Sequence, residues 1–252
     1  MITLITPVLN NADTIGDCLC SIRKQTTVCQ HIIVDGGSTD STLELIAQHK
    51  TPDAVLISEP DQGMYDAINK GLALATGEVV GILNADDFFP TEDVLEKISS
   101  VFSDPEVDAS YGDLLYVDRE NTHKVIRKWR SGEYRREKFY AGWMPPHPTF
   151  YLRRRLYQQH GGYRLDLGTA ADYELMLRML LKHRAAAAYI PQVLVHMRNQ
   201  GMSNASIGNR LKANRNDRQA WRVNGIRPRP WTLVAKPLRK VTQWLHNDES
   251  SI

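Results

Sequence analysis

Apolar residues in this chain come in short blocks separated by polar or glycine-bearing turns. Residues 1–6 form an apolar block rich in β-formers, and residues 30–35 and 54–58 repeat the pattern. Between them the spacing predicts helices over 13–25, 42–49 and 65–75. In the last of these, Ala67, Ile68, Leu72 and Ala75 recur at helical intervals. A fourth apolar run covers 79–83. Strand-like runs alternating with amphipathic helices predict a parallel sheet wound by right-handed crossovers. The expected class is therefore α/β, with a mostly parallel central sheet flanked by helices.

The second half is more mixed. The pattern predicts helices over 93–102, 153–160, 172–182 and 206–224. Strands are expected at 109–117, 124–129, 149–152, 187–190 and 193–198. Residues 132–148, rich in glycine, proline and aromatic side chains, read as a loop. The predicted organisation is one folded unit over 1–205, with halves at 1–103 and 104–205, followed by a basic helical extension over 206–252.

Composition adds little except at the end of the chain. The 252 residues carry a net charge of +2, so the whole is not a strongly basic nucleic-acid binder. From Arg210 to Lys240, however, ten basic residues stand against one acidic residue, Asp217. Residues 231–245 mix apolar, aromatic and basic side chains, a composition suited to an anionic membrane surface contacted through 210–245. A plain solvated helix is the alternative, and Pro237 would break a continuous one. No nucleic-acid recognition module is visible. Cys18, Cys20 and Cys29 have no zinc spacing and read as reduced structural thiols. The first residues lack a signal-peptide pattern, and no run reaches the roughly 18–20 apolar residues of a membrane-spanning helix.

The junction at 79–89 points to chemistry. The run Val79-Val80-Gly81-Ile82-Leu83 ends in Asn84-Ala85-Asp86-Asp87. A buried parallel strand presents its carboxyl end where open α/β sheets bind ligands. Two adjacent carboxylates repel each other and need a cation. Mg2+ or Mn2+ takes oxygen ligands and bridges to phosphate, so a phosphorylated substrate is expected. Asp35, beside Gly36-Gly37-Ser38-Thr39-Asp40, could accept hydrogen bonds from a nucleobase or ribose, although the same turn also suits an ordinary helix start. Thr6-Pro7 ends the first strand without a dinucleotide fingerprint. No phosphate loop is present either, which counts against a dehydrogenase and a P-loop ATPase. Asp66, Asn69 and Lys70 share one helix face, either a ligand face or a solvated one. Asp172, after Ala170-Ala171, is a candidate general base or a helix cap. His147, near Trp143, Met144 and Pro145, is a candidate binding residue or an ordinary hydrogen-bonded side chain. Arg198 could pair with a diphosphate or be a surface charge.

Taken in order, these segments resemble family 2 glycosyltransferases of the GT-A fold. The residues that carry the resemblance are Ile5-Thr6-Pro7-Val8-Leu9-Asn10, Val34-Asp35-Gly36-Gly37-Ser38-Thr39-Asp40, the run Glu59 to Gly71, Asn84-Ala85-Asp86-Asp87, and Ala171-Asp172-Tyr173-Glu174-Leu175. The resemblance covers about residues 1–200 and is nearest to bacterial enzymes of surface-polysaccharide assembly. It implies that Thr6, Pro7 and Asp35 contact the nucleoside and that Asp61, Asp66 and Asn69 line the donor side. Asn84-Ala85-Asp86 would stand at the D-x-D position, with Asp86 and Asp87 at the metal. Asp172 would be the catalytic base, and Trp143, His147 and Arg198 would border the acceptor or diphosphate. Asn84 departs from the family pattern because it brings no charge, which Asp87 could supply.

The implied reaction is inverting transfer of a sugar from a nucleotide-diphosphate sugar, UDP-linked by default, with Mn2+ or Mg2+ as cofactor. The acceptor would be a hydroxyl of a lipid-linked saccharide in polysaccharide or O-antigen assembly. The expected location is cytoplasmic, peripheral on the inner face of the cell membrane. Two rivals remain at this level. A sugar-phosphate nucleotidyltransferase would need a glycine- and lysine-rich loop after the first strand, where this chain has Pro7-Val8-Leu9-Asn10-Asn11. A catalytically silent carbohydrate-binding module is kept open by Asn84.

Overall fold

The computed structural model describes residues 1–199 and 207–233, without the side chains of 207–213. Most of the 231–245 segment singled out above, and residues 200–203 beside Arg198, lie outside the described residues. One eight-stranded sheet runs through both halves of the chain. Strands β1 (Ile2–Val8), β2 (Cys29–Asp35), β3 (Val55–Ser58) and β4 (Val79–Ile82) are parallel, in the order β3-β2-β1-β4. Helices α1 (Ile15–Arg23), α2 (Thr42–His49) and α3 (Met64–Leu74) connect them. After helix α4 (Val94–Val101) the sheet continues with β5 (Ala109–Val117) and β6 (Val125–Trp129). Strand β7 (Tyr151–Arg153) lies antiparallel between β4 and β5. Strand β8 (Ala187–Arg198) pairs parallel with β5.

Side chains alternate across the strands, so each face of the sheet builds its own apolar layer. Ile15, Leu19, Ile46, Leu95 and Ile98 close one face. Ile68, Phe139, Tyr173, Leu177 and Trp221 close the other. On this second face lie α3, α5 (Arg136–Tyr140), α6 (Arg154–His160), α7 (Ala171–Met176) and α8 (Ile207–Val223). Gly81 is required in β4: a Cβ there would sit 2.0 Å from the Tyr151 ring. Chain order reverses about β1, which has β2 on one side and β4 on the other. In a doubly wound sheet this reversal opens a crevice at the carboxyl ends of the two strands, and Asn84-Ala85-Asp86 follows β4 there.

Four local expectations are corrected. The 132–148 loop contains α5 and runs into a 3-10 turn, His147–Thr149, because its aromatic residues fold onto the core. The two strands expected at 187–198 are one. Pro191 has no N–H for the ladder, and the register passes from Gly112↔Ile190 to Asp113↔Val193 around it. The helix expected over 172–182 is α-helical only to Met176. It then widens into a π turn, Leu177–Lys182, with His183 N–H donating to the Arg178 carbonyl. The basic helix α8 is docked rather than appended. Trp221 is fully buried and donates to the Tyr173 hydroxyl (2.9 Å), and Asn224 donates to Glu174 (3.2 Å).

Candidate active site

The loop after β4 is held from beneath by α1. Thr14 Oγ1 donates to the Ala85 carbonyl (3.3 Å) and Cys18 Sγ to the Asn84 carbonyl (3.5 Å). Ala85 is buried against this support. Asn84 Nδ2 donates to Asp87 Oδ2 (2.9 Å), which fixes the orientation of its amide. Asp86 is half-buried and Asp87 is fully buried. Burial pushes the Asp86 carboxyl up, against the pull of Arg119 and Arg198. Burial, reinforced by the charge of Asp86, drives Asp87 well above the ordinary carboxylate range.

Two oxygens here, Asn84 Oδ1 and Asp87 Oδ1, are buried with no hydrogen-bond partner. An orphaned buried acceptor costs about 1–3 kcal/mol. With Asp86 they form an all-oxygen set, the kind a hard divalent cation takes, so these residues fit Mg2+ or Mn2+. Among the described residues no group of three or more His, Cys, Asp or Glu could hold a metal alone. An ion here would complete its shell with water or ligand phosphate.

On the α3 side of the sheet a second cluster gathers around Asp172, in the first turn of α7. The helix cap position is Ala170, not Asp172. Asp172 Oδ1 accepts from the Tyr173 N–H (2.7 Å), and Tyr65 lies close enough that its phenol is raised by burial first and by the Asp172 charge second. Tyr65 stacks on Tyr163 (centroids 5.4 Å), and the Tyr163 hydroxyl meets His147 Nε2 at 2.8 Å. Burial lowers the His147 pKa, which keeps its imidazole neutral, while the nearby Asp172 charge opposes the shift. The turn carrying His147 packs against β4 and so links this cluster to the strand that ends in Asn84. Sequence reasoning missed Tyr65 and Tyr163. Tyr65 lay inside the Glu59–Gly71 run and was legible there; Tyr163 gave no signal.

Several expected contacts are committed elsewhere. Asp35 is fully buried. It accepts from the Gly37 and Ser38 backbone N–H groups (3.1 and 3.0 Å) and from Ser58 Oγ (2.7 Å), so it staples its own turn. Thr6 Oγ1 pairs with His31 Nε2 (3.0 Å), and Pro7 is a buried strand residue opposite Val34. Asp61 accepts from Gly63 N–H (2.7 Å) and lies over Gly36, where a Cβ would meet its Oδ2 at 2.5 Å. Asp66 accepts from Gln62 N–H (3.1 Å). Asn69 clamps the Tyr163 backbone: its Nδ2 donates to the carbonyl and its Oδ1 accepts from the N–H, both at 2.8 Å. Trp143 is a core residue, 5% exposed, edge-on to Phe139 and donating to the Ser131 carbonyl (2.9 Å). Its buried ring offers no open face to an acceptor. Arg198, 3% exposed, donates to the Asp86 carbonyl (2.7 Å), pairs with Asp17, and lies over the Phe88 ring. It is a strut beneath the acidic loop rather than a free diphosphate ligand.

The sequence profile of glycosyl transferase family 2 matches residues 3–161. A PGL/p-HBAD biosynthesis glycosyltransferase of Mycobacterium tuberculosis is 30% identical over 216 residues, covering 82% of this chain and 80% of the relative. Among solved structures, the mannosyltransferase from Pyrobaculum calidifontis, in complex with GDP-Man and Mn2+, superposes with a TM-score of 0.64 at 21% identity. That match covers 98% of this chain and 76% of the other. Glucosyl-3-phosphoglycerate synthase from Mycobacterium tuberculosis, in complex with Mg2+ and UDP, gives 0.62 at 16% identity, covering 90% of this chain and 80% of the other. The GT-A fold expected from the sequence is thereby shown.

Proposed function

The chain belongs to glycosyl transferase family 2, and we propose that it is an inverting enzyme that moves a sugar from a nucleotide-diphosphate donor to a hydroxyl of a lipid-linked acceptor. Asp172 takes the proton from the acceptor hydroxyl. The oxygen attacks the anomeric carbon opposite the departing diphosphate, and a single direct displacement inverts the centre. Tyr65 orients the Asp172 carboxylate, and Tyr163 with His147 fixes Tyr65. Asn84, Asp86 and Asp87 would hold Mn2+ or Mg2+. That ion, when bound, supplies positive charge for the leaving diphosphate.

The observation that carries this reading is the place of Asp172 in the first turn of α7, its carboxylate held by the Tyr173 N–H and near enough to Tyr65 for its charge to raise that phenol. That place is beside the first turn of α3, next to a turn packed on the strand that leads into the acidic loop. The support for a cation is the pair of orphaned oxygens on Asn84 and Asp87. Two solved neighbours hold Mn2+ or Mg2+ with GDP-Man or UDP, which makes a nucleotide donor the first one to test. The lopsided basic charge after Arg210 supports a lipid-linked acceptor and work at the inner face of a membrane, and the resemblance to surface-polysaccharide enzymes supports a role in that assembly. Among the described residues no helix is long and apolar enough to cross a membrane.

The test is nucleoside diphosphate release from UDP- and GDP-linked sugars with Mn2+. Release of UDP or GDP supports transfer. Release of pyrophosphate, or no turnover of any donor, contradicts it.

A further inference from the structure

The geometry points to a phospholipid-headgroup site in the arginine-lined depression where α8 ends, a reading that rests on the membrane-surface location proposed above. The depression has a volume of about 400 Å3. Arg218, Arg222, Arg227 and Arg229 line it, with Ile226 and Leu233 among its apolar walls. Arg218 and Arg222 stand one helical turn apart on α8. Two residues past the end of α8, Gly225, with a φ of +69°, turns the chain back. Pro228 and Pro230 stiffen the returning segment. Thr232 pins it: its N–H donates to the Arg229 carbonyl (3.0 Å) and its Oγ1 to the Tyr140 carbonyl (2.7 Å). The arginines are thus presented by a fixed frame.

Among the described residues none of the four is in an ion pair with a carboxylate. The one acid of this stretch, Asp217, lies near Tyr173, whose phenol is raised by burial first and by the Asp217 charge second, on the side of α8 that faces α7. Four gathered guanidinium groups build a local positive potential that attracts an anion. Guanidinium matches phosphate through paired N–H donors. The setting favours a headgroup over a soluble anion. All four arginines are exposed on the surface, and Trp231 beside them is 55% exposed. Indole is a side chain that settles at a membrane–water interface. Arg229 lies over both Tyr140 (5.4 Å) and Trp231 (5.7 Å), which couples the charge to that aromatic edge.

The frame is also tied to the active site. Trp221 bonds Tyr173 and Asn224 bonds Glu174, the two residues that follow Asp172. A headgroup held by the arginines would fix the orientation of α7 relative to the bilayer.

The experiment is co-sedimentation of the full chain with vesicles of phosphatidylglycerol or phosphatidylcholine. The wild type is expected on the anionic vesicles only. The double variant Arg222→Gln/Arg227→Gln should lower that partition roughly 30-fold, about five-fold per charge. Trp231→Ala should weaken it further. Arg23→Gln/Lys24→Gln, with the same loss of charge at the end of α1, should leave it unchanged. Far-UV circular dichroism confirms that each variant folds. Four results would overturn the assignment: wild-type partition by the double variant, equal binding to phosphatidylcholine, loss only on neutralising Lys236, Arg239 and Lys240, or binding of inorganic pyrophosphate without vesicle binding. Partition does not depend on turnover, so its failure and a failure of the sugar-transfer reading are read separately.

Discussion

Asn69 separates what the sequence suggested from what the fold does. As a donor-side residue it would touch the nucleotide sugar; in the structure both ends of its amide hold the backbone of Tyr163. Asn69→Ala removes two hydrogen bonds of 2.8 Å each and leaves a Tyr163 N–H without its partner. At about 1 kcal/mol net per bond, with a further penalty for the stranded group, the loss is about 2–3 kcal/mol. For a chain of this length, that lowers the thermal midpoint by roughly 5–10 °C. Asn69→Asp is no rescue, because its second oxygen would face the Tyr163 carbonyl. Tyr163 carries His147 and Tyr65, and Tyr65 lies beside Asp172, so turnover should fall more than donor affinity. Thermal unfolding followed by circular dichroism, alongside kcat and KM for the donor, checks both parts. An unchanged midpoint with a raised donor KM would refute the clamp and restore a direct donor contact.

Three further outcomes are expected. Burial lowers the His31 imidazole to about 4, so on acidification the unfolded chain takes this proton first. Stability therefore falls as pH drops from about 6.5 to about 4. Between about pH 7.5 and pH 5 the wild type should lose about 2 kcal/mol more than His31→Gln in urea unfolding, and equal losses would contradict this. Arg178 pairs with buried Glu174 and donates to the Gly161 and Gly162 carbonyls (2.8 and 2.6 Å). Arg178→Ala should cost roughly 3–5 kcal/mol by the same assay, and a loss below about 1 kcal/mol would show the pair to be dispensable. Asp86→Ala should abolish the gain in UDP affinity that Mn2+ gives the wild type in calorimetry; a variant that keeps the gain would remove Asp86 from the ion.

The fold was legible because its signals are local. The run Val79–Leu83 has no polar residue, so β4 and its carboxyl end could be read directly, and α2 and β5 fall where the spacing predicts them. Side-chain roles were harder to read because partners lie far away in sequence. Asn69 meets a residue 94 positions on, and Arg198 meets Asp17 across 181 positions. Each reads as a free polar group until the chain folds. Trp143 shows the same limit from the other side. A proline-bearing loop gives no sign of burial, and only packing against Phe139 and Tyr111 reveals a core position. Asp172 gave an open choice between cap and base. The structure puts Asp172 inside the first turn of the helix, its Oδ1 accepting from the Tyr173 N–H (2.7 Å), with Tyr65 beside it.

The most direct test of the account is turnover by Asp172→Asn. The wild type and the variant would be compared for UDP or GDP release from UDP-GlcNAc and GDP-Man with Mn2+, with donor affinity measured by calorimetry in parallel. The account predicts retained affinity and a rate lower by about 10²–10⁴-fold, the usual cost of removing a general base. Release at close to the wild-type rate would contradict it.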